Sequence, residues 1–174
     1  PRTPREKFAA NIAAIQKLKE IEQRVANGGS PAFEDEQKIL AQYTGWGGLS
    51  DAFDPNKSAW SNEYSQLKAA LSESEYEAAR SSTLTAFYTP ATVIHPIYRA
   101  LERFGVKGGK ILEPSMGTGA FLAHGHFGSS DAKFYGVELD SITGRISKQL
   151  YQKANIQVTG YENALLPDNY FDCV

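Results

Sequence analysis

Ile111-Leu112-Glu113-Pro114-Ser115-Met116-Gly117-Thr118-Gly119-Ala120-Phe121-Leu122 is the stretch that decides the fold. Lys110 to Glu113 reads as a short buried strand, Gly117 and Gly119 mark a tight turn, and a helix is expected from about Gly119. Glycines at such a turn let backbone N–H groups come close to a ligand. Roughly twenty residues later, Glu138 falls near the end of a second predicted strand, Phe134 to Leu139. A carboxylate there can accept hydrogen bonds from both hydroxyls of an adenosine ribose. Turn and acid together point to a nucleoside cofactor without saying which.

Three details separate the candidates. A dinucleotide fingerprint wants a third glycine where this chain has Leu122. Glu113 precedes the glycines, where its charge would repel a pyrophosphate but attract the ammonium group of a methionine. Pro114 stiffens the strand exit without removing a donor that the strand needs. The pattern fits S-adenosylmethionine and does not fit NAD.

Outward from this centre, Ser141 to about Gln152 predicts a helix, Ile156 to Thr159 a third strand, and Tyr170 to Val174 the beginning of a fourth. Upstream, Thr89-Pro90 gives a cap-plus-proline helix start, with Val93, Ile97, Ala100, Leu101 and Phe104 on the apolar face and Gly105 at the end. Alternating strands and helices imply a parallel sheet of the doubly wound α/β type. The first 84 residues read differently, as an α-helical region of three or four helices, so the domains are placed at 1–84 and 85–174. Thr3, Pro4 and Glu6 start the first helix, whose apolar face runs Phe8, Ile12, Ile15, Leu18, Ile21 and Val25 until Asn27-Gly28-Gly29 ends it. Glu34 to Tyr43, Trp60 to Leu71 and Glu73 to Ser81 are the other helical spans, the last with Ser72 as cap and Glu75 completing a capping box.

Composition bounds the function classes. Apolar content of 41% and charged content of 22% over 174 residues are globular values. No apolar run approaches the roughly 20 residues that cross a bilayer, so no membrane partner is expected. Cys173 is the single cysteine, so no internal disulfide is expected, and a cytoplasmic setting is the plain reading. Eighteen Lys and Arg against twenty Asp and Glu give a net charge of −2. That lacks the basic excess of a free-standing duplex binder. Any DNA grip is expected from the remainder of a larger polypeptide.

The decisive stretch also carries a resemblance. Glu113 to Leu122 resembles the first motif of S-adenosylmethionine-dependent methyltransferases that act on the adenine amino group in DNA. Gly136-Val137-Glu138-Leu139-Asp140 resembles their second motif, and Ala86-Phe87-Tyr88-Thr89-Pro90 their upstream segment, in the order of the subclass whose cofactor region comes first. The front half, through Phe8 to Ile15 and Tyr43-Thr44-Gly45-Trp46-Gly47-Gly48-Leu49, resembles the lead-in of large methylase–helicase fusion proteins of phages and conjugative elements. The resemblance implies a Rossmann-like class I methyltransferase sandwich and a set of cofactor contacts. Tyr88 and Thr89 would reach the methionine end. Glu113 would bind the ammonium, and Pro114, Ser115, Met116, Gly117, Gly119 and Phe121 would shape the turn around the cofactor. Glu138 would hold the ribose and Leu139 would lie on the adenine. For the adenine amino group, Gly160-Tyr161-Glu162-Asn163 offers Tyr161 or Glu162, according to the gap chosen. The family's Asn/Asp-Pro-Pro-Tyr/Phe tetrapeptide would follow the fourth strand, beyond Cys173-Val174. A parallel sheet stopping there is expected to be truncated, to be silent in methyl transfer by itself, and to offer an open edge for self-association.

Other readings stand beside this one. A scaffold module that holds a cofactor without chemistry is one, and a methyltransferase for RNA or protein is another; a dinucleotide oxidoreductase is disfavoured by Leu122. Trp46 among its glycines reads as a packed turn, and Cys173 as a buried small hydrophobe. His124-Gly125-His126 has metal-ligand spacing but reads as surface histidines, and no metal is expected. Lys7, Lys17, Lys19 and Arg24 read as a solvated helix face.

Overall fold

Helix α1 (Pro4–Ala26) starts where the sequence puts its cap. The Glu6 N–H donates to Thr3 Oγ1 (3.3 Å) and the Thr3 N–H to Glu6 Oε2 (2.8 Å), a reciprocal box of the kind whose cap is worth about 1 kcal/mol. Phe8, Ile12, Ile15, Leu18 and Ile21 are buried as one face, while Val25, in the last turn, is exposed. The computed structural model describes residues 2–86, 88–125 and 132–174. It divides into two units, Pro1–Phe87 and Tyr88–Val174.

In the first unit α1 is followed by α2 (Glu34–Leu40), α3 (Ser61–Ala70) and α4 (Glu73–Ser82). Helix α2 is shorter than its expected span, because the chain turns at Ala41 to bring Tyr43 and Trp46 inward. Trp46 is 1% exposed, with the rings of Phe8 and Phe53 at centroid distances of 6.0 and 5.3 Å. This is the packed turn that the glycines suggest: a Cβ on Gly47 would run into Ala86 O. Buried Asn11 ties the turn to α1: its Nδ2 donates to Gly45 O (2.7 Å), and Thr44 N donates to its Oδ1 (2.9 Å).

The basic residues of α1 are not a merely solvated face. Lys7 Nζ donates to Gly47 O (2.6 Å), Lys19 Nζ to Ala70 O and Glu75, and Arg24 clasps Glu36 through both terminal nitrogens (2.7 and 2.6 Å). Loop carbonyls beside a helix need donors, and long basic side chains reach them. The Arg24 hydrogen bonds, then the Phe33 N–H, hold the Glu36 carboxyl down at about 2, against an ordinary 4.5. A depressed folded value means that the stability contributed is complete above pH 4.5 and is lost as pH falls towards 2. The thermal midpoint is therefore expected to drop through that window, and Glu36→Gln to flatten the drop. An equal acid slope in the variant would remove Glu36 from the explanation.

The second unit is α5 (Ala91–Arg103), β1 (Lys110–Glu113), α6 (Ala120–His124), β2 (Lys133–Glu138), α7 (Ser141–Leu150) and β3 (Asn155–Val158). All pairing is parallel, in the order β1-β2-β3, with Glu113 beside Gly136 and Glu138 beside Val158. On the free side of β1, Cys173 forms a parallel bridge with Ile111, and Leu112 N donates to Cys173 O (2.9 Å). The chain thus steps from β1 to one side through β2 and β3, then returns to its other side, as in a Rossmann-like doubly wound sheet. Cys173 is half-buried and borders the core cluster of Ile94, Tyr98 and Ile111.

Helix α5 departs from expectation. Pro90, not Thr89, occupies the cap position, and no side chain caps the helix. Val93, Ile97, Ala100 and Phe104 are exposed, and the core takes Ile94 and Tyr98, with Leu101 beside them. Two apolar stripes interleave at helical spacing, and periodicity alone cannot choose between them. The inward stripe is the one whose Tyr98 hydroxyl can donate to Phe121 O (2.9 Å). Among the described residues no helix is long and apolar enough to cross a membrane.

Candidate functional site

The topological switch lies at β1, and ligands of open α/β sheets bind outside the carboxyl ends of the strands at such a point. The segment leaving β1 there is the glycine turn. Three of its N–H groups are held by neighbours: Met116 N donates to Val137 O (3.0 Å), Gly119 N to Met116 O (2.8 Å) and Gly117 N to Glu138 Oε2 (2.7 Å). Gly117 and Gly119 have φ of +54° and +79°, which side-chain-bearing residues rarely adopt.

Glu138 ends β2, and the register carries it two residues, or about 7 Å, beyond the level of Glu113. Its Oε1 accepts from Asp140 N (2.8 Å), so one carboxylate joins the turn to the start of α7, where Asp140 Oδ1 caps Thr143 N (2.7 Å). A carboxylate offers about four lone-pair positions. The Leu139 N–H acts on it as well, and the acceptor capacity left over faces outward for ribose hydroxyls only in part. Burial pushes the Glu138 carboxyl up, and the N–H groups of Asp140 and Gly117 pull against it.

Glu113 ends β1 half-buried, and burial raises its carboxyl too, with only a weak opposing contact from Ser115 N (3.4 Å). Among the described residues no cation acts on it. A partly desolvated carboxylate without a positive partner is what an incoming ammonium group would neutralise.

The other expected contacts divide. Tyr88 lies over the turn: a Cβ on Gly117 would stand 2.8 Å from its ring. Burial pushes its phenol up to about 12, with the Thr143 hydroxyl as the opposing hydrogen bond. Leu139 is 76% exposed beside Glu138, free to cover a ring. Thr89 and Ser115 are exposed and Pro114 is half-buried. The Met116 side chain is buried against Gly136, where a Cβ would strike its sulfur, so Met116 could meet a ligand only through its backbone. Phe121 likewise belongs to the core beside Tyr98. Glu162 sits on the exposed turn after β3, with Asn163 Nδ2 on its Oε1 (3.0 Å); its contacts do not join it to Glu113 or Glu138. Phe87 lies outside the described residues.

Sequence reasoning missed two residues of this site. Ser147 Oγ donates to Gly117 O (3.0 Å) and the Tyr151 hydroxyl to Thr118 O (3.2 Å). Nothing local marks them, because their partners are backbone atoms of another segment. His126 lies outside the described residues; His124 is exposed, with the His95 ring 5.5 Å from its own. Among the described residues no three potential ligands gather for a metal ion.

No protein-family model matches the chain. It is 26% identical over 148 residues to the defense against restriction protein B of Escherichia phage P1, covering 84% of this chain and 5% of that protein. It is 32% identical over 89 residues to the modification methylase CviBIII of Paramecium bursaria Chlorella virus NC1A, covering 51% of this chain and 24% of the methylase. The chain therefore spans a small part of either relative. A crystal structure from Listeria monocytogenes, assigned to the class I S-adenosylmethionine-dependent methyltransferases, superposes with a TM-score of 0.40 at 16% identity, over 92% of this chain and 56% of that one.

Proposed function

We propose that this chain is the S-adenosylmethionine-binding part of a DNA adenine N6-methyltransferase that belongs to a larger polypeptide. The observation that carries the cofactor is the glycine turn set between two burial-raised carboxylates at the ends of adjacent parallel strands. Glu113 would take the ammonium, the remaining acceptor capacity of Glu138 the ribose hydroxyls, and Leu139 one face of the adenine. Tyr88 and Thr89 would close on the methionine end, and Glu162 would meet the adenine amino group if its turn swings inward. The bound cofactor would supply an electrophilic methyl group; the residues here orient it and exclude water.

DNA as acceptor is supported by likeness to a modification methylase. The larger polypeptide is supported by a match that takes 84% of this chain and 5% of the phage protein. A helicase-fused protein of a mobile element fits that proportion, as does a DNA-binding surface carried elsewhere, given a net charge of −2 here. The acceptor is tested by incubating the protein that carries this chain with methyl-labelled S-adenosylmethionine and DNA, then separating the hydrolysed nucleosides. Label in N6-methyladenine is expected. Label on cytosine, or only on RNA or protein, would overturn the acceptor.

A further inference from the structure

Glycine at the two turn positions is usually explained by a ligand that needs the space. Here protein already fills it. A Cβ on Gly119 would run into the Tyr151 ring, and one on Gly117 would press on the Tyr88 ring. Tyr151 follows the last residue of α7, and Ser147 lies one helical turn before it on the same face. Ser147 is fully buried, and its hydroxyl takes the carbonyl of Gly117. Tyr151 takes the carbonyl of Thr118, the next in line. Two successive carbonyls of the turn are thus drawn towards α7. The same helix is fixed at its other end by Asp140, whose N–H is held by Glu138.

We infer that Ser147 and Tyr151 are positioning residues that fix the shape of the glycine turn from α7, and that the Tyr151 ring, together with the positive φ and not a ligand, demands glycine at position 119. The consequence for cofactor binding rests on the function proposed above; the consequence for the turn does not. Drawing both carbonyls to one side fixes the two peptide planes that carry the Thr118 and Gly119 N–H groups, and the Gly119 N–H donates to Met116 O (2.8 Å) to close the turn. Releasing either carbonyl would let those planes rotate and would loosen the turn next to the Gly117 N–H that donates to Glu138. Gly136 shows the same logic on β2, where Met116 takes the room that a side chain would need.

The test uses Tyr151→Phe, which keeps the ring and removes the hydroxyl, together with Ser147→Ala, Gly119→Ala and the double variant Gly119→Ala/Tyr151→Ala. In the ligand-free chain, amide resonances of Gly117, Thr118 and Gly119 are expected to shift, and their hydrogen exchange to quicken, in both hydroxyl deletions. Titration with S-adenosylmethionine should show affinity about 3- to 10-fold weaker in each, the span of one ordinary hydrogen bond. Gly119→Ala should lose more, and the double variant should regain part of it. The regain is partial because the strain of alanine at a φ of +79° remains. Unchanged turn amides in both hydroxyl deletions would overturn the clamp. A double variant no better than Gly119→Ala would overturn the claim about glycine. A wild-type chain that ignores S-adenosylmethionine would overturn the function instead, and the turn amides would still decide the inference.

Discussion

Glu138→Ala is expected to weaken S-adenosylmethionine binding by at least about 100-fold. Hydrogen bonds to an ionised group are each worth about 1.5–3 kcal/mol, and the substitution would remove two from the ribose hydroxyls. At 1.4 kcal/mol per tenfold, those two alone span about 100-fold to 10,000-fold. The loss should exceed this, because the N–H groups of Gly117 and Asp140 lose their acceptor as well and the turn loses its link to α7. Glu138→Gln should fall between, since its single amide oxygen cannot serve both backbone donors. Calorimetric titration measures this, with circular dichroism to confirm that each variant is folded. An affinity unchanged in Glu138→Ala would place the ribose elsewhere.

Glu113→Gln should separate binding from stability. Affinity is expected to fall about 10- to 100-fold, since a charge-assisted contact with an ammonium group becomes a neutral one. The ligand-free chain should become more stable at neutral pH. The sign follows from a folded carboxyl raised above its ordinary 4.5 by burial. Such a group favours folding below its unfolded value, and that contribution is lost as pH rises through the folded value. Glutamine abolishes that loss. The same shift predicts that wild-type affinity declines on acidification from above pH 4.5, and that the glutamine variant declines less steeply, since of the two carboxyls only Glu138, also raised by burial, still titrates there. A variant that is destabilised, or a wild-type affinity indifferent to acid, would remove Glu113 from the cofactor contact.

The parts legible in the sequence are those whose causes are local. Thr3 and Glu6 announce α1 because a capping box spans three residues, and Ser72 and Glu75 mark α4 in the same way. The parallel sheet follows from strand, glycine turn and helix in succession. The hidden parts depend on distant partners. Ser147 and Tyr151 act on carbonyls 30 and 33 residues away, and no periodicity encodes such a pairing. On α5 the pattern offered two apolar faces, and the one that packs was chosen by Tyr98 reaching Phe121 O. Lys7 and Arg24 look like surface charge until the loop carbonyl and the carboxylate beside them are known. Met116 and Phe121 sit within the cofactor motif, yet their side chains serve the core.

The most direct test of the cofactor site is titration of this chain with S-adenosylmethionine, S-adenosylhomocysteine and NAD in parallel. Saturable binding of the first two, with none for NAD and a loss in Glu138→Ala, is the expected result. Binding of NAD, or no binding of S-adenosylmethionine by the folded chain, would contradict it.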